Sequence, residues 1–227
     1  MSRIEKLRMN ALCHSHINDE FFYKFYKRYI ENKNGSDYLR YADAFFFSFS
    51  ELTSHISGGE LIVGEIKNEL NDFEKKEWEN TYKKIAKERC SLAGGGQDSH
   101  MAIDYELLLS CGLKGIIARI EKYEKTCPPE QSDFYSTAKV CLLAVIQHSE
   151  NYSALAVQLA KEECDEQRKK ELLRIAEICK KVPAEPAQSF YEAVQSVHFV
   201  TYCLSLNPFR FGHQQFQLGH PDRYLYP

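Results

Sequence analysis

The sequence has few of the features that mark membrane, exported or nucleic-acid-binding proteins. Its longest apolar stretches, residues 44–47 and 140–146, fall well short of the roughly 20 residues that a membrane helix needs. The N-terminus, MSRIEKLRMN, is charged and has no apolar stretch, so no signal peptide is expected. A net charge of −3 creates no field that would attract nucleic acid. These absences predict a cytoplasmic protein with neither a membrane nor a nucleic-acid partner.

Paired cysteine motifs are also missing. The eight cysteines are scattered, with no C-x-x-C pair, and a disulfide framework normally belongs to a shorter, loop-rich chain. Several, such as Cys141, lie in apolar helical stretches, so we expect free, mostly buried thiols. His14 and His16 beside Cys13 do not supply the four closely spaced ligands of a structural zinc site. No metal site is therefore expected.

The apolar residues that are present recur at spacings of three and four, which predicts a mainly α chain. Helices are expected within residues 3–31, 38–54, 66–90, 105–122, 132–163, 165–181 and 189–206. Residues 60–64 form a short apolar stretch next to glycines and are the best strand candidate, and a further strand is possible in the tail after residue 206. The stripe Leu70, Phe73, Trp78, Tyr82 and Ile85 should form the inner face of the helix at 66–90.

Three local signals refine these boundaries. Val182-Pro183 should end a helix, because proline cannot donate to the helix ladder. Ser189 followed three residues later by Glu192 has the pattern of a capping box. Asp104 is interpreted chiefly as the N-cap of the next helix, and Tyr105 is expected in the core.

Four stretches of the chain also match a known pattern when they are taken in order. They are residues 59–64 (GELIVG); residues 99–105 (SHMAIDY) followed by 112–116 (GLKGI); residues 168–183, with Arg168, Glu171-Leu172 and Val182-Pro183; and residues 190–195 (FYEAVQ) followed by 219–227 (GHPDRYLYP). Each stretch is a weak signal by itself. Together they resemble the N-terminal half of the glycyl radical enzymes of the pyruvate formate-lyase type.

The resemblance implies a fold and a chemistry. The fold is a ten-stranded α/β barrel made of two five-stranded halves with outer helices, of which this chain would be a mainly α N-terminal part. The chemistry is a glycyl radical that generates a thiyl radical on a cysteine, which then attacks a small polar substrate. The resemblance also implies a radical-S-adenosylmethionine activase as partner, no cofactor held by this chain itself, and a homodimer when the enzyme is intact.

The sequence departs from the family pattern in three ways: missing motifs, a shortened spacing and a changed residue. No cysteine lies in a GC-x-E loop and no RV-x-GY glycyl motif is present. Residues 1–227 are therefore expected to be the N-terminal portion of a pyruvate formate-lyase domain, truncated before both radical-bearing segments and inactive alone. The spacing between Gly64 and His100 is shorter than in the family, and His220 stands where the family usually has arginine. The alternative is a non-catalytic helical scaffold or interaction protein.

The resemblance also implies substrate-binding positions. His100 lies where relatives present a histidine or arginine to the substrate, and an imidazole can transfer a proton near neutral pH. In relatives the residues before the GHPDRYLYP glycine line the substrate cavity, which here points to His213, Gln214 and Gln217. The alternatives are a loop histidine bonded to backbone and a solvated loop. A histidine beside a polar loop favours a dehydratase or other C–X lyase over a formate acetyltransferase, which would carry arginine for pyruvate.

Overall fold

The structure, a computed structural model, describes residues 2–13, 19–65, 67, 69–86, 101–206, 216, 217 and 221–225. Within these residues the fold is almost entirely helical, which confirms the mainly α prediction. The helices are α1 (Arg3–Cys13), α2 (Asp19–Glu31), α3 (Asp37–Glu51), α4 (Asp72–Glu77), α5 (Tyr105–Glu124), α6 (Ser132–Glu162), α7 (Glu166–Lys181), α8 (Phe190–Ser205) and α9 (Pro221–Tyr224). No helix in this part of the chain is long and apolar enough to span a membrane.

The long helix α6 is the centre of the packing, since α3, α5, α7 and α8 all contact it. On one side lies a cluster that we call the aromatic core, which includes Phe21, Phe25, Tyr26, Phe49, Trp78, Tyr152, Ile175 and Phe199. Phe21 and Phe49 meet with their ring centroids 4.9 Å apart. Burying one such ring stabilises the fold by about 1.5–3 kcal/mol, so this core supplies much of the driving force for folding.

A second cluster, which we call the aliphatic core, lies where α5, α6 and α8 meet. Its buried members are Tyr105, Leu108, Leu109, Leu113, Ile146, Ala184, Ala193 and Val197. The α7–α8 connection reaches this cluster through Ala184, just after the cis Val182-Pro183 peptide. The aliphatic core therefore joins the α5 motif segment to the end of α7.

Residues 60–64 are not a strand, so that prediction was wrong. The segment lies in irregular structure on α7 and α8, where side chains take the place of a neighbouring strand. Val63 N–H donates to Gln195 Oε1 at 2.9 Å, and Gln195 Nε2 donates back to the Val63 carbonyl at 2.8 Å. Arg168 Nη1 donates to the Glu60 carbonyl at 2.6 Å, and His198 Nε2 bonds to the Gly64 carbonyl at 2.9 Å. An apolar strand-like sequence thus obtains its backbone partners from helices.

The predicted helix over residues 66–90 is only partly correct. The helix begins at Asp72, passes through a π-helical turn at Trp78–Tyr82 and continues over residues 83–86, beyond which residues 87–90 lie outside the described part. Trp78 and Tyr82 are buried as predicted, but Phe73 is 69% exposed. Trp78 lies five positions after Phe73, and in a helix this spacing turns the two side chains onto different faces.

The remaining helix predictions agree closely with the structure. The boundaries of α6 and α7 lie within one residue of those expected, and α8 begins after its N-cap Ser189, whose Oγ accepts from Glu192 N–H. The reciprocal bond differs from a capping box, because the Glu192 carboxylate accepts from Gln188 N–H at 2.7 Å.

The cysteine prediction is half correct. The six cysteines whose side chains the structure describes are free, but only Cys179 and Cys203 among them are buried. Burial raises the pKa of the Cys179 thiol to about 12 and that of the Cys203 thiol well above its usual value. These two thiols therefore stay protonated and unreactive near neutral pH.

Candidate functional site

The segments that contain the predicted substrate-binding residues meet in the one small sheet that the described residues form. Strand β1 (Met101–Ala102) pairs in parallel with β2 (Phe216–Gln217), with Met101 opposite Phe216 and Ala102 opposite Gln217. The backbone of Gln217 therefore lies beside the segment that directly follows His100. His100, His213 and Gln214 themselves lie outside the described residues, as does the side chain of Gln217.

The start of α5 fixes β1 relative to the helices. Asp104 is the N-cap, because its Oδ1 accepts from Leu107 N–H at 2.9 Å. Tyr105 is 2% exposed, its hydroxyl lies 2.6 Å from Thr201 Oγ1 on α8, and its ring contacts Tyr224 at 5.3 Å between centroids. Both sequence interpretations, a capping Asp104 and a core Tyr105, are confirmed. Two of the motif stretches, SHMAIDY and GHPDRYLYP, thus meet α8 at one tyrosine.

A second junction lies at the kink in α5. Gly112 has φ +64°, a conformation that glycine adopts without strain. The kink lets Leu113 and Lys114 N–H donate to the carbonyls of Pro183 and Ala184 at 2.8 and 3.0 Å. A Cβ at Gly112 would lie 2.4 Å from the Ala184 oxygen, which is closer than atoms can approach. The GLKGI and VP motifs therefore serve a backbone-to-backbone contact.

An apolar groove of about 530 Å³ opens beside this junction. Among its lining residues are Leu109, Ala187, Phe190, Ala193, Tyr224 and Leu225. Phe190 is 60% exposed. Burial raises the pKa of Tyr224, so its phenol stays protonated. The groove has the size of a ligand pocket, but its described lining contains no carboxylate, imidazole, amine or thiol.

Sequence reasoning missed this groove and the function of Gln195. The sequence carried one weak signal for the groove, because several residues that line it lie in FYEAVQ and YLYP, which both belong to the matching stretches. Gln195 is 1% exposed in the middle of α8, and a buried amide generally requires hydrogen-bond partners. The partner, Val63, could not be identified without the structure.

The described residues assemble no metal-binding site, and the Cys141 thiol among them is not activated. No group of three His, Cys, Asp or Glu side chains there is arranged to hold a metal ion. Burial raises the pKa of the Cys141 thiol to about 12, so this thiol also stays protonated.

Comparison with known proteins identifies the family. The family model described as pyruvate formate lyase-like matches residues 65–227. The chain therefore belongs to the pyruvate formate lyase-like family, as its four motif stretches predicted.

Individual relatives agree with this assignment. The chain is 33% identical over 149 residues to the probable dehydratase YbiW of Escherichia coli, and the match covers 63% of this chain and 18% of that protein. It is 33% identical over 141 residues to (2S)-3-sulfopropanediol dehydratase of Klebsiella oxytoca, with 60% and 16% coverage. Each match thus spans less than a fifth of the length of the curated relative.

Solved structures share the fold. A glycyl radical enzyme from Archaeoglobus fulgidus superposes with a TM-score of 0.82 at 24% identity, over 100% of this chain and 36% of that one. The B12-independent glycerol dehydratase of Clostridium butyricum gives a TM-score of 0.78 at 21% identity, over 92% and 34%. The helices described above are therefore arranged as in part of a glycyl radical enzyme.

Proposed function

We propose that this chain is the N-terminal portion of a glycyl radical enzyme that cleaves a C–O or other C–X bond of a small polar substrate. The observation that carries the proposal is the parallel pairing of β1 with β2, because it joins the segment after His100 to the segment that contains Gln217. The relatives named above include two dehydratases. Their names favour a dehydratase or lyase over a formate acetyltransferase.

Four residues are proposed to face the substrate. His100 would hydrogen-bond a substrate hydroxyl or carboxylate, or exchange a proton with it, since imidazole titrates near neutral pH. Gln214 and Gln217 would bind polar groups through their amides, and His213 would assist them. Neutral amides suit a hydroxylated substrate better than one with a strongly charged headgroup.

The radical groups are proposed to lie outside these residues. Neither a GC-x-E loop nor an RV-x-GY motif occurs in the chain, so the proposed domain has its thiyl cysteine and glycyl radical in further sequence. A radical-S-adenosylmethionine activase would install the radical, and the intact enzyme would be a cytoplasmic homodimer. In the intact enzyme, the residues of this chain would bind and orient the substrate.

The gene itself provides the first test. An open reading frame that continues past Pro227 into a GC-x-E loop and an RV-x-GY tail is the expected result. A stop codon with no neighbouring remainder would contradict the proposal and leave the non-catalytic scaffold.

The product of the complete reading frame provides the second test. It would be activated anaerobically with its activase and S-adenosylmethionine, then incubated separately with glycerol, 1,2-propanediol, isethionate, and pyruvate with coenzyme A. We expect cleavage of a C–O or C–S bond and no formate from pyruvate. Formate release would instead assign the enzyme to the acetyltransferases.

A substitution then tests the role of His100. We expect His100→Ala to lower kcat/KM by about 100-fold or more, in line with the loss of a proton-transfer or anchoring group, with an unchanged melting temperature. The control is Gln131→Ala, an exposed position before α6, which should keep full activity. Full activity of His100→Ala would remove this residue from the proposed site.

A further inference from the structure

Two carboxyl groups share a partly buried position in the irregular segment that lies on α7 and α8. The carboxyl groups of Glu60 and Glu65 lie close enough to interact directly. Both also contact Ser57, whose N–H donates to Glu60 Oε2 at 2.7 Å and whose Oγ donates to Glu65 Oε1 at 3.2 Å. Two ionised carboxylates held on one serine repel each other, so the pair favours a state in which it holds one proton.

Cations near the pair are already engaged elsewhere. Arg168 of α7 donates to the carbonyls of Glu60 and Ser57 and to the Glu171 carboxylate. Arg3 of α1 donates to the Gly59 carbonyl at 2.6 Å and forms a bidentate pair with Glu171. Both guanidiniums therefore hold backbone carbonyls and Glu171. In the described part of the chain neither forms a side-chain ion pair with Glu60, although the charge of Arg168 is close enough to lower the pKa of Glu60.

The other titratable groups around the segment come from α2, α6, α8 and the segment's own continuation. Tyr191 hydroxyl donates to the Leu61 carbonyl, and His198 bonds to the Gly64 carbonyl. The buried Tyr152 hydroxyl of α6 lies near the backbone of His55 and Glu65. His55 lies near Lys67 and Glu69, and Glu20 of α2 accepts from the N–H groups of Thr53 and Glu69.

We propose that Glu60 and Glu65 form a proton-dependent latch that holds residues 57–65 on α7 and α8 and loosens when the shared proton leaves. In the sequence Glu60 precedes and Glu65 follows Val63, whose backbone is bonded to Gln195. Repulsion between the two ionised carboxylates would push apart the two ends of this short segment and so weaken its hold on Gln195. The latch is a regulatory device, separate from the proposed substrate site.

The direction of the pH effect follows from linkage. Burial and the neighbouring Glu65 raise the pKa of Glu60 from about 4.5 to about 7. Between a pH of about 4.5 and a pH of about 7, the closed segment therefore binds more protons than the open one. The protection of its amides against hydrogen exchange falls as the pH rises through this range and is constant above it. Burial lowers the pKa of His55 and His198, which gives the opposite slope. The sign of the pH dependence thus identifies the group responsible.

Amide hydrogen exchange of the 227-residue chain tests the latch. The readout is the protection factor of the Val63 amide, measured by NMR from pH 5 to pH 8 and corrected for intrinsic exchange, with Ala156 in the middle of α6 as the reference for global opening. Each pH unit in the linked range changes the equilibrium by up to tenfold. We expect Val63 protection to fall roughly 10- to 100-fold from pH 5 to pH 7 while the Ala156 protection changes less.

Variants separate the carboxyl pair from other causes. Glu60→Gln replaces the protonated carboxyl by an amide that cannot ionise, so its Val63 protection should lose this fall with pH. Glu121→Gln removes a charge at an exposed position on α5 and should keep the wild-type profile. The proposal is overturned if Val63 protection is flat or rises with pH in the wild-type chain, or if Glu60→Gln retains the wild-type decrease.

Discussion

The two cores of this molecule differ in composition and in what surrounds them. The aromatic core contains stacked and tilted rings from α2, α3, α6 and α8, many of them fully buried. The aliphatic core is smaller and contains mostly leucine, valine and alanine. An apolar groove opens beside it and the β1–β2 pair adjoins it through Tyr105. The first region stabilises the helices, and the second connects them to the segments proposed to face the substrate.

The family motifs lie at the connections between helices. GELIVG and FYEAVQ meet through Val63 and Gln195, while GLKGI and the VP segment meet at Gly112 and Pro183. These contacts involve backbone groups that only particular side chains, or the absence of one, can satisfy. The resemblance therefore reflects requirements of assembly at least as much as requirements of chemistry.

The largest expected effect tests the aromatic core. Phe199 is fully buried in α8, so Phe199→Ala should lower the free energy of unfolding by about 3–5 kcal/mol, through lost burial and the cavity left behind. The matched control is Phe190→Ala in the same helix, where the side chain is 60% exposed beside the groove and the loss should stay within about 0.5 kcal/mol. Urea unfolding measures both. Equal losses would contradict the contrast between the two regions.

The next effect tests the junction of the aliphatic core. Gly112→Ala should lower the free energy of unfolding by about 2–4 kcal/mol, because it combines an unfavourable backbone conformation with a clash against Ala184. The control is Gly58→Ala, since a Cβ there meets nothing within 4 Å. Stability equal to wild type in Gly112→Ala would mean that the kink is not required.

A somewhat smaller effect tests the connection at Val63. Gln195→Leu keeps the side chain's approximate size but leaves the N–H and carbonyl of Val63 without their present partners. The expected loss is about 2–3 kcal/mol, since an unsatisfied buried polar group costs about 1–3 kcal/mol. Gln131→Leu, at an exposed position, serves as the control in the same thermal or urea melts. No loss in Gln195→Leu would show that the segment does not depend on the glutamine.

The smallest effect concerns the helix next to the candidate site. Asp104→Ala removes the bond to Leu107 N–H and should cost about 1 kcal/mol, whereas Asp104→Asn keeps a capping oxygen and should cost little. If Asp104 instead had a catalytic role, the asparagine variant of the complete enzyme would lose activity at unchanged stability.

Much of the helical architecture could be predicted from the sequence because its signals are local. The periodicity of α6 and α7, the proline after Val182 and the cap residues Asp104 and Ser189 all act within a few residues. The strand at residues 60–64 was wrongly predicted because its partners come from Gln195, more than a hundred residues away. Phe73 was wrongly predicted to lie on the inner face, because its spacing from Trp78 in the sequence does not keep the two side chains on one face of a helix.

The candidate site could be predicted only through the family resemblance. No local pattern indicates that residues 101–102 and 216–217 pair, since such short strands carry no periodicity of their own. The roles of His100, His213, Gln214 and Gln217 stay predictions. The groove beside Phe190 could not be foreseen, because it is formed by residues from three separate parts of the chain.

Electron paramagnetic resonance tests most directly whether these 227 residues supply a scaffold and a substrate-facing segment but no radical-bearing group. The chain and the product of the complete reading frame would each be incubated anaerobically with the activase and S-adenosylmethionine before spectra are taken. We expect a glycyl radical doublet from the complete protein and none from the 227-residue chain. A protein-based glycyl doublet from the 227-residue chain alone would contradict the proposed division of the enzyme.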